Sequence, residues 1–293
     1  MVFQPSSLGA NRVNKKITAQ IGLLVVAIIW GLTFILVKAA LNDAHPFSFA
    51  ALRFGLATLI TLLIVNKNII TSTKNEIIGG ILCGFLLFLG YAFQNFGLMN
   101  TTATKSAFIT SVSVLIVPLL LFAMNIQKVK LRIWLAVVLA TFGLYLLILP
   151  GGGINIGDVI TFGCAVSFAL HIIAQDNYLK KGIRLLPFFC IQLASVTLIS
   201  FIHAQVFEPE AIIWSTRLIN AIIITSIFAT LIAFLIMIWA QKILNPSETA
   251  IIFAMEPVAA ALFAMVFAGE ILGLLGWIGG GLVCLAVVYG ESG

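Results

Sequence analysis

The sequence predicts an all-α membrane protein with ten transmembrane helices in two inverted five-helix repeats. Three observations predict it. Of 293 residues, 61% are hydrophobic and only 9% are charged, against about 25% charged in an ordinary soluble domain. Apolar runs of about 20 residues, the length that crosses a hydrocarbon core, recur from end to end. Basic residues cluster at alternate breaks between those runs, as the positive-inside rule requires. No stretch is long or polar enough to form a soluble domain.

The spans are read in order at 17–40, 46–65, 76–98, 103–124, 131–149, 154–175, 186–206, 216–240, 247–268 and 271–289. The first run follows Arg12, Lys15 and Lys16, as a signal peptide would. It is too long for a usual signal core and no A-x-A site follows, so it reads as the first helix. The breaks carry turn chemistry: Asn42-Asp43-Ala44-His45-Pro46, Asn66-Lys67-Asn68, Pro150-Gly151-Gly152-Gly153 and Asn245-Pro246-Ser247. Such short connections make successive helices antiparallel.

With the N-terminus in the cytoplasm, twelve of the sixteen basic residues fall inside: Arg12, Lys15, Lys16, Lys67, Lys74, Lys128, Lys130, Arg132, Lys180, Lys181, Arg184 and Lys242. The other four, Lys38, Arg53, Lys105 and Arg217, lie in or beside the outer halves of helices. Asp43, Glu208, Glu210 and Glu270 are outside. Ten helices therefore put both termini in the cytoplasm. The net charge of +6 is accounted for by inner loops, not by a nucleic-acid partner. Cys83, Cys164, Cys190 and Cys284 all lie inside apolar runs without metal spacing and read as small packing residues.

The halves resemble each other. Sliding residues 91–149 along by 143 positions brings Ala107 onto Ala250, Leu119 onto Leu262, Trp134 onto Trp277 and Leu139 onto Leu282. Ser113 falls on Glu256, each in the middle of its helix. The units are 1–150 and 151–293. Five helices is an odd number, so the second copy inserts upside down. Many secondary transporters share this plan, with the site near the midplane between the halves.

Trp30-Gly31 with Lys38, then Pro46 and Arg53, Ala107, Glu256-Pro257 and Gly269-Glu270 resemble the drug/metabolite transporter superfamily, in its EamA-type branch. The likeness runs over nearly the whole chain and rests on the order and spacing of these residues. It implies export or exchange of small metabolites, amino acids among them, across the bacterial inner membrane. One departure is visible. The family often has proline in mid-helix four, where this chain has Val114. Pro118 lies one turn later, which predicts a displaced kink.

Ionisable side chains inside a bilayer are costly, about 2.5–3.5 kcal/mol on insertion scales, so each is a candidate. Glu256 stands at the centre of its span, before Pro257, whose missing N–H frees a carbonyl. A carboxylate there can take a proton or a cation. The alternative is a structural pair with a basic residue. Arg53 suits bidentate recognition of a substrate carboxylate, or else pairs with an acid inside the bundle. Lys38 reads as a snorkelling side chain. His171 and Gln175 share a helical face, with Asp176 beside them. A proton relay through His171 stands against a plain interhelical bond. Gln94 and Asn95 either line a cavity or join helices.

Trp30, near mid-span and followed by glycine, could wall a cavity and stack on a substrate; Tyr91 and Trp239 are candidates of the same kind. Trp134, Trp214 and Trp277 read as interfacial anchors, and Gly276, Gly279, Gly280 and Gly281 as close-packing positions. Trp30, Tyr91, Asn95, His171, Gln175 and Trp239 are expected to face the interior. There is no H-E-x-x-H pair and no G-x-S-x-G elbow, and Pro150–Gly153 lacks the Lys-Ser/Thr of a phosphate loop. No enzyme, cofactor or metal is expected. The expected partners are a small-molecule substrate and the lipid bilayer. The competing reading is an intramembrane enzyme or a lipid-handling protein using the same buried groups.

Overall fold

The structure, a computed structural model, describes residues 7–65, 69, 71–148, 154–269 and 273–291. Lys67, Glu270 and Pro150–Gly153 lie outside the described residues, as does the side chain of Arg12. The described residues form helices joined by short turns, with no strand among them. In chain order these are α1 (Ser7–Ala40), α2 (Pro46–Val65), α3 (Lys74–Asn100), α4 (Ala103–Ser111), α5 (Ser113–Ala123), α6 (Leu131–Ile148) and α7 (Ile156–Leu179). Then follow α8 (Leu185–Phe207), α9 (Thr216–Ile224), a π-helical segment (Thr225–Ile232), α10 (Ala233–Gln241), α11 (Pro246–Phe253), α12 (Met255–Ala268) and α13 (Leu274–Glu291).

Eight segments are long and apolar enough to cross a membrane: Asn14–Ala40, Pro46–Val65, Lys74–Asn100, Ala103–Ala123, Ile156–Leu179, Leu185–Phe207, Thr216–Gln241 and Pro246–Phe267. Two shorter apolar helices, Leu131–Leu146 and Leu274–Gly290, stand fifth and tenth in the predicted series. Their described lengths fall short of the others.

Local chemistry sets the helix starts. Thr73, Asn155 and Asn245 each accept the N–H three residues on, while Glu76, Asp158 and Glu248 return the bond, three complete capping boxes. Thr102 and Ser215 cap α4 and α9 alone. Helix α12 ends at Gly269, whose φ of +66° only glycine adopts freely.

Packing uses small residues. A Cβ built on Gly84 would stand 2.6 Å from the Gln192 carbonyl, and one on Gly97 would stand 2.0 Å from the Thr161 hydroxyl oxygen. These glycines let α3 close against α8 and α7. Gly143 does the same where α6 meets α13, 2.7 Å from the Gly279 carbonyl. In lipid, where tails are as apolar as leucine, close approach and dispersion drive helix association. Gly281 is a correction to the sequence reading: a Cβ there meets nothing described within 4 Å. It lies off the α6 contact. The outer surface is apolar, with Leu63 83%, Leu131 74% and Phe267 66% exposed. A soluble monomer does not expose continuous apolar surface of this kind; a lipid-embedded one does.

Polar ties close both ends of the bundle. At one end Arg217 grips Asp43 at 2.6 and 2.8 Å, and Glu208 accepts the N–H groups of Phe47 and Ser48 at 2.8 and 2.7 Å. The bond from Arg217 holds the Asp43 carboxyl down at about 2. Lys105 reaches Asp158 at 2.7 Å at this same end. At the other end Glu76 takes Arg184 at 2.7 Å, and Lys16 reaches Glu248 at 3.1 Å.

Candidate functional site

Helices four and nine of the predicted series are each broken in the middle. The first breaks at Val112, between α4 and α5, and the second at Ala254, between α11 and α12. At each break one N–H bonds back three residues, Val112 to the Ile109 carbonyl at 3.1 Å and Ala254 to the Ile251 carbonyl at 3.0 Å. The second break has an obvious cause, because Pro257 cannot donate to the Phe253 carbonyl. The first lies at Val112 and not at Pro118, so the expected displacement toward Pro118 does not occur. Pro118 sits within α5 without ending it.

Ser113 opens α5 and Glu256 is the second residue of α12. Both line a central cavity, which also takes in Trp30, Tyr91, Phe168, His171, Phe234 and Phe253. Helix α1 comes very close here. A Cβ on Gly31 would stand 2.7 Å from the Glu256 carbonyl and from the Ala259 Cβ. Glycine at this position brings the neighbouring Trp30 up to the broken helix.

Glu256 is 6% exposed and makes no hydrogen bond or ion pair among the described residues. The walls around it are aromatic. The Trp30 ring lies 4.9 Å from that of Phe253 and 5.3 Å from that of Phe234. On the other side Tyr91 meets Phe168 at 5.4 Å. The Ser111 hydroxyl is also buried in this lining, without a partner among the described residues. His171 faces the cavity, and its Nε2 lies 2.5 Å from the Gln192 side-chain nitrogen.

Arg53 stands behind Tyr91. It is fully desolvated, and its guanidinium carbon lies 4.5 Å from the centre of the Tyr91 ring. Its Nε donates to Thr230 at 2.8 Å, and one terminal nitrogen donates to the Tyr91 hydroxyl at 3.2 Å and to the Ala229 carbonyl at 3.4 Å. The π-helical segment makes that carbonyl available. The Ala233 N–H reaches back five residues to Phe228, and Ala229 accepts from the Trp30 indole at 2.8 Å instead. A π-turn inside an α-helix leaves such a group for other partners, and such turns gather at functional sites. Among the described residues Arg53 therefore has neutral partners and no acid, and it does not line the cavity.

Of the residues singled out from the sequence, the structure gathers Trp30, Tyr91, Ser113, His171 and Glu256 around one cavity. Five of the six aromatic and polar groups expected inside are turned inward; Trp239 is the exception. It is 36% exposed and packs over Gly22 of α1. Asn95 is buried, but it donates to the Pro46 carbonyl at 3.3 Å, joining α3 to the start of α2. Its neighbour Gln94 lines the cavity. Gln175 is bonded to Gln241 at 2.5 Å, away from the lining. Lys38 does not simply snorkel: its ammonium donates to the Thr101 carbonyl.

Sequence reading missed Thr33, Thr110, Ser111 and the phenylalanines of the lining, and missed Thr230 and Ser226 as partners of Arg53. A signal was present. Thr225, Ser226 and Thr230 put three hydroxyls into one apolar run, and hydroxyls inside a span serve as interhelical glue. The phenylalanines gave none, because 23 of them occur along the chain and composition does not tell a lipid-facing ring from a cavity wall.

A sequence profile described as the EamA-like transporter family matches this chain twice, over residues 17–149 and 155–289. The chain is similar to an uncharacterized transporter of Archaeoglobus fulgidus, 34% identical over 94% of this chain and 86% of that protein. It is also similar to the uncharacterized transporter YoaV of Bacillus subtilis, 23% identical over 92% of this chain and 96% of that one. A solved crystal structure superposes with a TM-score of 0.76 over 93% of this chain and 96% of its own, at 16% identity. That likeness concerns the fold.

Proposed function

The chain belongs to the EamA-like transporter family, and from that premise we propose a secondary transporter that moves small metabolites, amino acids among them, across the bacterial inner membrane by alternating access, with Glu256 as its proton-coupling group. One observation carries the reading: a buried carboxyl without a partner among the described residues stands in the central cavity, beside a helix break. Glu256 is buried. It changes charge only by exchanging a proton or a cation with whatever enters. Tyr91 and His171 face the same space, and Arg53 lies behind Tyr91.

Two inverted five-helix repeats with cytoplasmic termini complete the proposal. The double family match supports it, as do the breaks at Val112 and Ala254, which a 143-residue shift brings within one residue of each other. The alternation of basic residues supports the orientation.

The test is transport in proteoliposomes. A panel of radiolabelled metabolites is screened by counterflow, and an exchanged compound is then driven uphill by a pH gradient. Glu256→Gln keeps size and hydrogen bonding but removes titration. Uphill accumulation driven by the pH gradient should collapse. If Glu256→Gln accumulates substrate with the wild-type pH dependence, the proton is carried elsewhere, with His171 the next group to examine, or transport is an uncoupled uniport.

A further inference from the structure

The electrostatics of the lining say which end of a substrate it grips. Among the described residues Glu256 is the acidic side chain of the lining, and no lysine or arginine contributes to it. The nearby cation, Arg53, is stacked on Tyr91 and donates to Thr230, Tyr91 and Ala229. A substrate carboxylate entering this space would meet a carboxylate, not a guanidinium. The rest of the wall combines ring faces with the neutral polar side chains of Thr33, Gln94, Thr110, Ser113 and His171. The Trp30 N–H is committed to the Ala229 carbonyl, so the indole has no donor left for an anion and offers its π-face. Aromatic faces attract cations through the ring quadrupole, and they do so more strongly when water is excluded. Ser111 adds a buried hydroxyl without a partner among the described residues that can accept an N–H.

We infer that the cavity binds organic monocations: amines or quaternary ammonium groups carrying an apolar body, held by Glu256 between the rings of Trp30, Phe253 and Phe234 and those of Tyr91 and Phe168. This rests on the reading of the cavity as the transport site, and it names the substrate class. An amino acid would be recognised by its ammonium end, with no cationic side chain of the lining to meet its carboxylate.

Three ligands of one shape separate the possibilities: 2-phenylethylamine, L-phenylalanine and 3-phenylpropionate. Binding to the purified full chain is followed by tryptophan fluorescence, and exchange of the same three by counterflow. The amine should bind at least tenfold tighter than phenylalanine, and phenylpropionate should not compete. Glu256→Gln should erase the preference for the amine. Glu256→Asp, which keeps the charge, should retain it in part, and melting curves of both variants show that they are folded. The inference is overturned if phenylalanine or phenylpropionate competes as well as the amine, or if folded Glu256→Gln binds the amine with wild-type affinity. If the amine binds in the expected order but is never exchanged, the substrate class stands and the transport reading fails. If phenylalanine or phenylpropionate is exchanged and the amine is ignored, the transport reading stands and the class fails.

Discussion

Replacing Gly31 with alanine tests the contact that builds the cavity. The new methyl would lie 2.7 Å from the Ala259 Cβ, 2.7 Å from the Glu256 carbonyl oxygen and 2.8 Å from the Ala260 nitrogen. Carbon contacts settle at about 3.5–4.0 Å, so the neighbours are too near by roughly 0.7–1.3 Å. Two of the three atoms are backbone and cannot rotate away. Helix α1 must then move off α12, carrying Trp30 with it. Overpacking of this kind costs about 1–3 kcal/mol. At about 2–4 °C per kcal/mol, Tm falls by roughly 2–12 °C. Thermal unfolding of the detergent-solubilised protein measures it. Gly281→Ala is the control, because its methyl meets nothing described within 4 Å. It should leave Tm unchanged or raise it, since alanine narrows the unfolded ensemble by about 0.4–1 kcal/mol. A Gly31→Ala protein that melts within 1 °C of wild type, or a Gly281→Ala protein that melts lower than Gly31→Ala, would refute the packing argument.

Arg53→Lys keeps the charge but loses the fork that spans Thr230, Tyr91 and Ala229; the broken bonds should cost about 1–3 kcal/mol, read as a lower Tm of the solubilised protein. Trp30→Phe keeps the ring but removes the donor to the Ala229 carbonyl, so hydrogen exchange should rise across residues 225–235 while the ends of the bundle stay protected. The Asp43–Arg217 tie sets a pH window. The folded carboxyl sits at about 2, below its ordinary value of 3.8, so its contribution is fully present above about 4 and is lost as pH falls toward 2. The Tm difference between wild type and Asp43→Asn should therefore stay constant from pH 8 to 5 and shrink only below 4; a difference that fades near pH 6 would place the titration on another group.

Much of the architecture was legible in the sequence. Span length is dictated by bilayer thickness, and alternation of basic residues by insertion, so both are written in one dimension. The turn residues are local as well: Thr73, Asn155 and Asn245 cap helices through bonds to residues three positions on. The costly buried acid was legible for the same reason, since a mid-span carboxyl is expensive wherever the chain goes. What surrounds Glu256 was not. Trp30 and Trp239 read alike as apolar-run tryptophans, yet one closes the cavity and the other reaches the surface. Asn95 and Gln94 are adjacent, and helical geometry turns only the second into the cavity.

The sequence by itself determined that the chain crosses a membrane and that Glu256 is the group to explain. The tertiary structure decided that Arg53 does not neutralise Glu256. That outcome depends on a carbonyl released by a π-turn at residues 225–232, which captures both Arg53 and Trp30. One extra residue in a helical turn leaves no mark in composition or periodicity, because its effect is a change of hydrogen-bond partner between helices about 175 residues or more apart along the chain. Such a partner exists only once the helices are packed.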